Sequence, residues 1–372
     1  MRKLFLFIFT IIELITYGQD PVSSQFFFNQ LNTNPAFAGF NSDIRAGLNY
    51  RRQWLRIPSK FETYNCWGDM YIPAISGGLG IIASQDVSGE GILKTTSVGL
   101  IQSFEYPIPK IMNLRAGYNI TGVSKTIDWN RLVFSDQNDA VLGQIYNSNV
   151  NRSYTVPRNF IDLSAGFTMQ FLPIKKDGIE VTNLVGYSVS HLTQPNEALS
   201  GAENKFLPRK HTFHLTLNFH LTKGENPRSN EYKSLRICPN IIYERQGNTD
   251  AKGKLLFANR AQFSELNFGI YVMKDPILGG IFVRRKNIMA IRENDCVIIM
   301  FGLKKAINKY RVFRFSYSID IPINDLAPNS IFTHEISVSG ELDDFLRRRK
   351  ISNRAKKRQD DCYDFGMKKI VF

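Results

Sequence analysis

The chain has 372 residues, a formal net charge of +14 and an isoelectric point near 9.5. A mean hydropathy of -0.21 with 22% charged residues argues against a bundle of membrane-spanning helices, and a 43% hydrophobic share argues against a disordered chain. The 28 Phe, 15 Tyr and 26 Gly favour strands and turns over helices.

The chain opens with Met1-Arg2-Lys3, an apolar run over residues 4–12 and small residues around Gly18. This pattern reads as an export signal, residues 1–18, cleaved after Gly18. The run is shorter than the roughly 20 apolar residues that a spanning helix needs, and Glu13 interrupts its far end. Losing Arg2, Lys3 and Glu13 takes the charge from +14 to +13, so the exported chain stays basic.

From residue 43 the dominant signal is alternation. Ile44, Ala46, Leu48 and Tyr50 alternate with Arg45, Gly47, Asn49 and Arg51, and Phe213, Leu215, Leu217 and Phe219 alternate with Thr212, His214, Thr216 and Asn218. Residues 113–121, 163–171 and 311–321 repeat the pattern, which is that of strands with one polar and one apolar side. Runs of about nine to eleven residues match the length that crosses a bilayer at a tilt, whereas soluble strands average about five or six. Candidate turn signals are Gly77-Gly78, Lys110, Gly247-Asn248, Lys274-Asp275-Pro276 and Lys304-Lys305. The reading is an all-β fold, a transmembrane antiparallel barrel of about 14 strands over residues 43–341, apolar parity to lipid and polar parity to the lumen. Residues 126–158 read as a long polar loop, placed outside by the usual asymmetry of such barrels. Residues 342–372 form a basic tail containing Arg347, Arg348, Arg349 and Lys350, read as a periplasmic extension, either merely solvated or partner-binding.

Catalytic, cofactor-binding and metal-binding residues do not emerge. The cysteines Cys66, Cys238, Cys296 and Cys362 are far apart with no CxxC pair and read as isolated structural residues. His214 and His220 share a strand face but lie about 20 Å apart at 3.3 Å per residue, too far for one metal. Gly77-Gly78-Leu79-Gly80 lacks the Lys-Ser/Thr of a phosphate loop, and residues 86–91 read as a hairpin turn rather than a calcium loop. No GxSxG elbow marks a lipase.

Residues 23–39, Ser-Ser-Gln-Phe-Phe-Phe-Asn-Gln-Leu-Asn-Thr-Asn-Pro-Ala-Phe-Ala-Gly, resemble the N-terminal signature of the PorP/SprF family of type IX secretion membrane proteins. The resemblance continues through Tyr50-Arg51-Arg52-Gln53-Trp54, Gly77-Gly78-Leu79-Gly80, Ile127-Asp128-Trp129 and, more faintly, Leu207-Pro208-Arg209-Lys210-His211 and Ser316-Tyr317-Ser318-Ile319-Asp320. It implies an outer-membrane barrel that supports export or surface anchoring of proteins carrying a C-terminal sorting domain. The implied partners are such a client, periplasmic secretion-ring or peptidoglycan-linked lipoproteins, and outer-membrane lipid, with no nucleic acid. An N-terminal extension, 19–42, is then expected as a plug or lid. Gln25, Phe26, Asn34, Pro35, Gly39, Gln53, Trp54, Asp128 and Trp129 are the candidate plug or partner residues, and the four basic tail residues are further partner candidates. The competing reading is a passive porin or hydrophobic-solute channel, whose lumen Arg45, Arg51, Arg115 and Arg314 would make basic.

Overall fold

The computed structural model describes residues 20–41, 44–55, 60–89, 93–109, 111–128, 131–132, 137–139, 143–144, 157–199, 205–221, 235–247, 263–286, 296–308, 311–323 and 332–342. The expected export signal and the basic tail beyond residue 342 lie outside them. Fourteen strands make the barrel: β1 (Ile44–Gln53), β2 (Lys60–Ile72), β3 (Gly77–Gly89), β4 (Leu93–Ile108), β5 (Met112–Ile127), β6 (Arg158–Phe171), β7 (Ile179–Ser190), β8 (Lys210–Leu221), β9 (Leu235–Gln246), β10 (Phe263–Lys274), β11 (Ile277–Lys286), β12 (Cys296–Asn308), β13 (Arg311–Pro322) and β14 (Thr333–Leu342). Each pairs antiparallel with its sequence neighbours, and β1 pairs with β14 from Ile44↔Leu342 to Arg52↔His334, which closes the sheet. Closure leaves no edge, the condition under which a sheet can sit in hydrocarbon. No helix among the described residues is long and apolar enough to cross a membrane.

The burial pattern inverts that of a soluble protein. Along β1, Arg45, Asn49 and Arg51 are buried while Leu48 is 60% exposed; along β5, Asn113, Arg115 and Asn119 are buried while Ile120 is exposed. Leu100, Ile161, Ile281 and Ile299 continue the outward apolar belt. Exposed aromatics flank it, with Tyr106, Phe171 and Phe313 toward one rim and Tyr64, Phe206, Phe213 and Phe332 toward the other, the placement that aromatic girdles take at the two interfaces.

Strands run from 10 to 16 residues, longer than the alternation alone indicates, because pairing continues past the apolar belt into polar rim residues such as Thr95 and Thr96. Two of the expected turns are strand instead. Gly77 and Gly78 open β3, and the reversal is made by the 3-10 turn Pro73–Ile75 with Ser76 in the left-handed region. Lys304 and Lys305 lie inside β12, where Lys304 faces inward 3.7 Å from Asp275. The hairpin expected at residues 86–91 begins later, since β3 runs to Gly89. Cys66 and Cys296 are free thiols, as isolated cysteines should be, whereas Cys238 is disulfide-bonded.

Six pairs of consecutive strand ends, including those joined by 73–76 and 275–276, stand at the rim that also carries residues 44 and 342. The strand ends that bracket the two longest intervals between strands, Ile127 with Arg158 and Ser190 with Lys210, stand at the opposite rim, called here the long-loop rim. An outward position at mid-strand must tolerate hydrocarbon, so Leu100→Arg should cost about 2–4 kcal/mol of stability in lipid bilayers while Leu100→Phe stays near neutral. Denaturant unfolding from vesicles measures it, and equal stability of both variants would place that face away from lipid.

Candidate functional site

Residues 20–41 follow none of the strand periodicity, and they lie within the barrel, buried almost throughout from Ser24 to Asn41. The segment contains one α-helical turn, Gln30–Thr33, and one 3-10 turn, Pro35–Phe37. Proline forces the residue before it out of the helical region, and Asn34 adopts φ -156°, ψ 122° and caps the second turn by accepting from Ala36 N through Oδ1 at 3.0 Å. Its Nδ2 donates to the carbonyls of Phe167 and Tyr187 on β6 and β7 at 3.0 and 3.2 Å.

Near the long-loop rim, five charged groups on the barrel wall form a network beside Ser23, Ser24 and Gln25. Arg51 bridges Asp320 at 2.8 Å and Glu335 at 2.9 Å; Arg284 bridges Asp320 at 2.9 Å and Glu265 at 3.1 Å. The N-terminal segment completes this network. Ser24 Oγ accepts from both arginines and donates to Asp320, and Glu335 accepts from the backbone N–H groups of Ser24 and Gln25 at 2.7 and 3.2 Å. Gln25 donates to Ser318 Oγ and to the Glu335 carbonyl, and its Oε1 accepts from Ser316. Breaking a buried pair of this kind by removing one partner costs about 3–5 kcal/mol, so the network and the segment hold each other.

Deeper in the lumen the contacts become apolar. Phe26 and Phe27 pack on Phe282 and Tyr271, with ring centroids 5.5 Å apart for Phe27–Tyr271 and 5.6 Å for Phe26–Phe282, and Phe28 packs on Phe27, within a cluster that includes Leu278, Ile298 and Met300. Burying each ring contributes about 1.5–3 kcal/mol. Toward the opposite rim, Arg45 donates from Nε and Nη2 to the two carboxylate oxygens of Asp69 at 3.0 and 2.7 Å and from Nη1 to Gln30 Oε1, while Asp69 also accepts from Gly39 N at 2.6 Å. Arg115 donates to the carbonyls of Ala36 and Ala38. Gly39 has φ +64°, and a Cβ there would stand 2.7 Å from Gly78 Cα, so both positions require the close approach that glycine allows.

At the start of the segment, the Asp20 carboxylate accepts from His191 Nε2 at 2.8 Å and lies 3.2 Å from Lys210 Nζ, while His191 Nδ1 contacts Asp162 at 2.8 Å. Burial works against both charged forms. The His191 and Lys210 charges nevertheless hold the Asp20 carboxyl far below the usual carboxylate range, and Asp20 and Asp162 push the His191 imidazole up to about 9.

The lumen thus gathers Gln25, Phe26, Asn34, Pro35 and Gly39. Gln53 and Trp54 lie elsewhere, at the long-loop end of β1, where Trp54 packs edge-on against Phe61 with centroids 4.9 Å apart. Asp128 follows β5 on that rim, exposed and 3.9 Å from Arg131. Trp129 and the residues Arg347, Arg348, Arg349 and Lys350 lie outside the described residues. Among the described residues, no group of His, Cys, Asp and Glu is arranged to hold a metal ion. Sequence reasoning missed the carboxylates Asp69, Asp320, Glu335 and Glu341, whose signal was present: each is a charged residue on the polar parity of a strand. Arg45, Arg51, Arg115 and Arg314 all pair with carboxylates, so the lumen they line is not the free basic surface expected for an anion channel.

The sequence matches the family described as Type IX secretion system membrane protein PorP/SprF over residues 15–339. No curated protein matches it. Among solved structures it is similar to a Pseudomonas aeruginosa FadL homologue (12% identity, 87% of this chain and 95% of that one, TM-score 0.45) and to the monoaromatic hydrocarbon channel CymD (11%, 88% and 95%, 0.44). It is also similar to the Pseudomonas putida toluene transporter TodX (8%, 87% and 94%, 0.42).

The rim contact carries a pH dependence of definite sign. A histidine whose folded value lies above its free value of about 6.5 gives its full stabilisation below that value and loses it as pH rises through about 9. Asp20, held low, acts in the opposite sense and loses its contribution only in acid. A spin label on Val22→Cys, in a Cys66→Ser background, should therefore be immobile at neutral pH and gain mobility with a midpoint near 9, and His191→Gln should abolish that transition. A spectrum unchanged across this range would contradict the contact.

Proposed function

Because the chain belongs to the PorP/SprF family of type IX secretion system membrane proteins, we propose that it is a non-enzymatic outer-membrane component of the secretion and gliding machinery. Its task is to support export or surface anchoring of adhesin-like proteins that carry a C-terminal sorting domain. The observation that carries this reading is the occupied lumen: a barrel occluded by its own residues 20–41, hydrogen-bonded to eight of its strands through these contacts alone, is suited to holding a partner rather than passing solutes.

In this reading the long-loop rim faces outward, placing Gln53, Trp54 and Asp128 where a surface-bound client arrives. The N-terminal segment starts at the outward rim, where Asp20 meets His191 and Lys210, whereas β14 ends on the periplasmic side, so the tail with Arg347, Arg348, Arg349 and Lys350 meets secretion-ring or peptidoglycan-linked lipoproteins or anionic lipid. The porin reading draws no support from the lumen, whose arginines are already neutralised.

Purification from native outer membranes in mild detergent tests the proposal. A large protein with a C-terminal sorting domain, or secretion-ring lipoproteins, should accompany the barrel in stoichiometric amount. Isolation of the barrel alone from cells that display the client would contradict it.

A further inference from the structure

The N-terminal segment does not use the whole lumen. From Ser23 to Phe28 it leans on the wall made by β9–β14, and between it and the wall of β1–β6 remains a cavity of about 320 Å³ that reaches the long-loop rim. That size falls at the lower end of ligand sites. Leu31, Pro35 and Ile82 form part of its floor, below which the Arg45, Asp69 and Gly39 contacts tie the segment to the wall.

The chemistry of the cavity is distinct from that of the occupied half. Asn65, Ser84, Ser97, Asn119, Thr121 and Ser164, from five adjacent strands, present hydroxyls and amides. The cations facing it are already matched: Lys125 with Glu197, Arg51 with Asp320 and Glu335, and His191 and Lys210 with Asp20. Three lining residues more than nine-tenths buried keep atoms with no hydrogen-bond partner, namely Asn29 Oδ1, Asn119 Oδ1 and Arg51 Nε. These atoms have almost no accessible area, so the character of the cavity is set by the hydroxyls and amides that face it, groups that both donate and accept.

We propose that this cavity binds an extended, uncharged polar stretch of polypeptide entering from the long-loop rim and, resting on the secretion reading above, that the stretch belongs to the exported client. Polypeptide is the ligand that the same lumen already holds, with Glu335 and Asn34 capturing main-chain groups on the other wall. Ser, Thr and Asn side chains donate and accept, and so match the alternating groups of a backbone whatever its sequence. A charged stretch would find each lining cation engaged and the Asp86 carboxylate already accepting from the Thr63 and Ser88 hydroxyls.

The test uses the full chain in detergent and a fluorescent peptide of repeating Gly-Ser-Asn-Thr, read by anisotropy. Ser97→Trp fills the cavity from its wall, and Val98→Trp, on the exposed face of the same strand, is the control. Saturable binding is expected, about tenfold weaker for matched Lys- or Glu-substituted peptides and for Ser97→Trp, and unchanged for Val98→Trp. No saturable binding, binding untouched by Ser97→Trp, or a preference for maltohexaose over peptide would overturn the proposal. Co-purification of the client with the same variants separates the two readings. A chain that retains its client but binds no peptide sinks the cavity and leaves the secretion reading standing. Loss of peptide binding in Ser97→Trp with full retention of the client sinks the assignment of the stretch to that client.

Discussion

The structure depends on the buried network of Arg51, Arg284, Asp320 and Glu335, which is complete only when Ser24 and Gln25 are in place. A membrane barrel must turn its apolar parity outward, which sends polar and charged side chains inward. Eight strands enclose a lumen that side chains can fill, whereas sixteen or more leave an aqueous channel, so a barrel of fourteen has an interior of intermediate width. Here residues 20–41 supply the missing matter: three phenylalanines for the apolar wall of β9–β12, and hydroxyl, amide and backbone groups for the charged wall.

The chain also reports direction. Asp20 is fastened at the long-loop rim and Gly39 near the opposite one, so the segment descends the lumen before β1 begins. Both ends of its path are set by charge: His191 and Lys210 above, Arg45 with Asp69 below. Between them the fit is steric, through Gly117 and Gly166, where a Cβ would press on Pro35 and Asn34. One wall stays free, and its neutral hydroxyl and amide lining is what gives the remaining cavity a chemical character.

Much of this architecture was legible in the sequence because period-two patterning reflects the two solvents on either side of each strand. The parity of residues 43–53, 163–171 and 211–221 fixed which side chains face inward, and the strand number followed from their spacing. The turn assignments at Gly77-Gly78 and Lys304-Lys305 fail because neither residue type serves only as punctuation: the glycines allow close approach to Ala38 and Gly39, and Lys304 turns inward to pair with Asp275 at the rim. The partners of residues 20–41 were illegible for another reason. Contacts between Ser24 and Asp320 or between Asn34 and Tyr187 join residues 296 and 153 positions apart, and no local pattern encodes them. What the sequence did carry was a run without strand periodicity beside carboxylates on lumen parity, and the second half of that pair went unread.

The central claim is that the chain's own N-terminal segment blocks the passage through its barrel. Planar-bilayer conductance of the purified intact chain, set beside a variant lacking residues 20–41 that still behaves as a folded barrel, addresses it directly. The intact chain should be electrically silent and the shortened one should open discrete steps. A steady ohmic current through the intact chain would contradict the account.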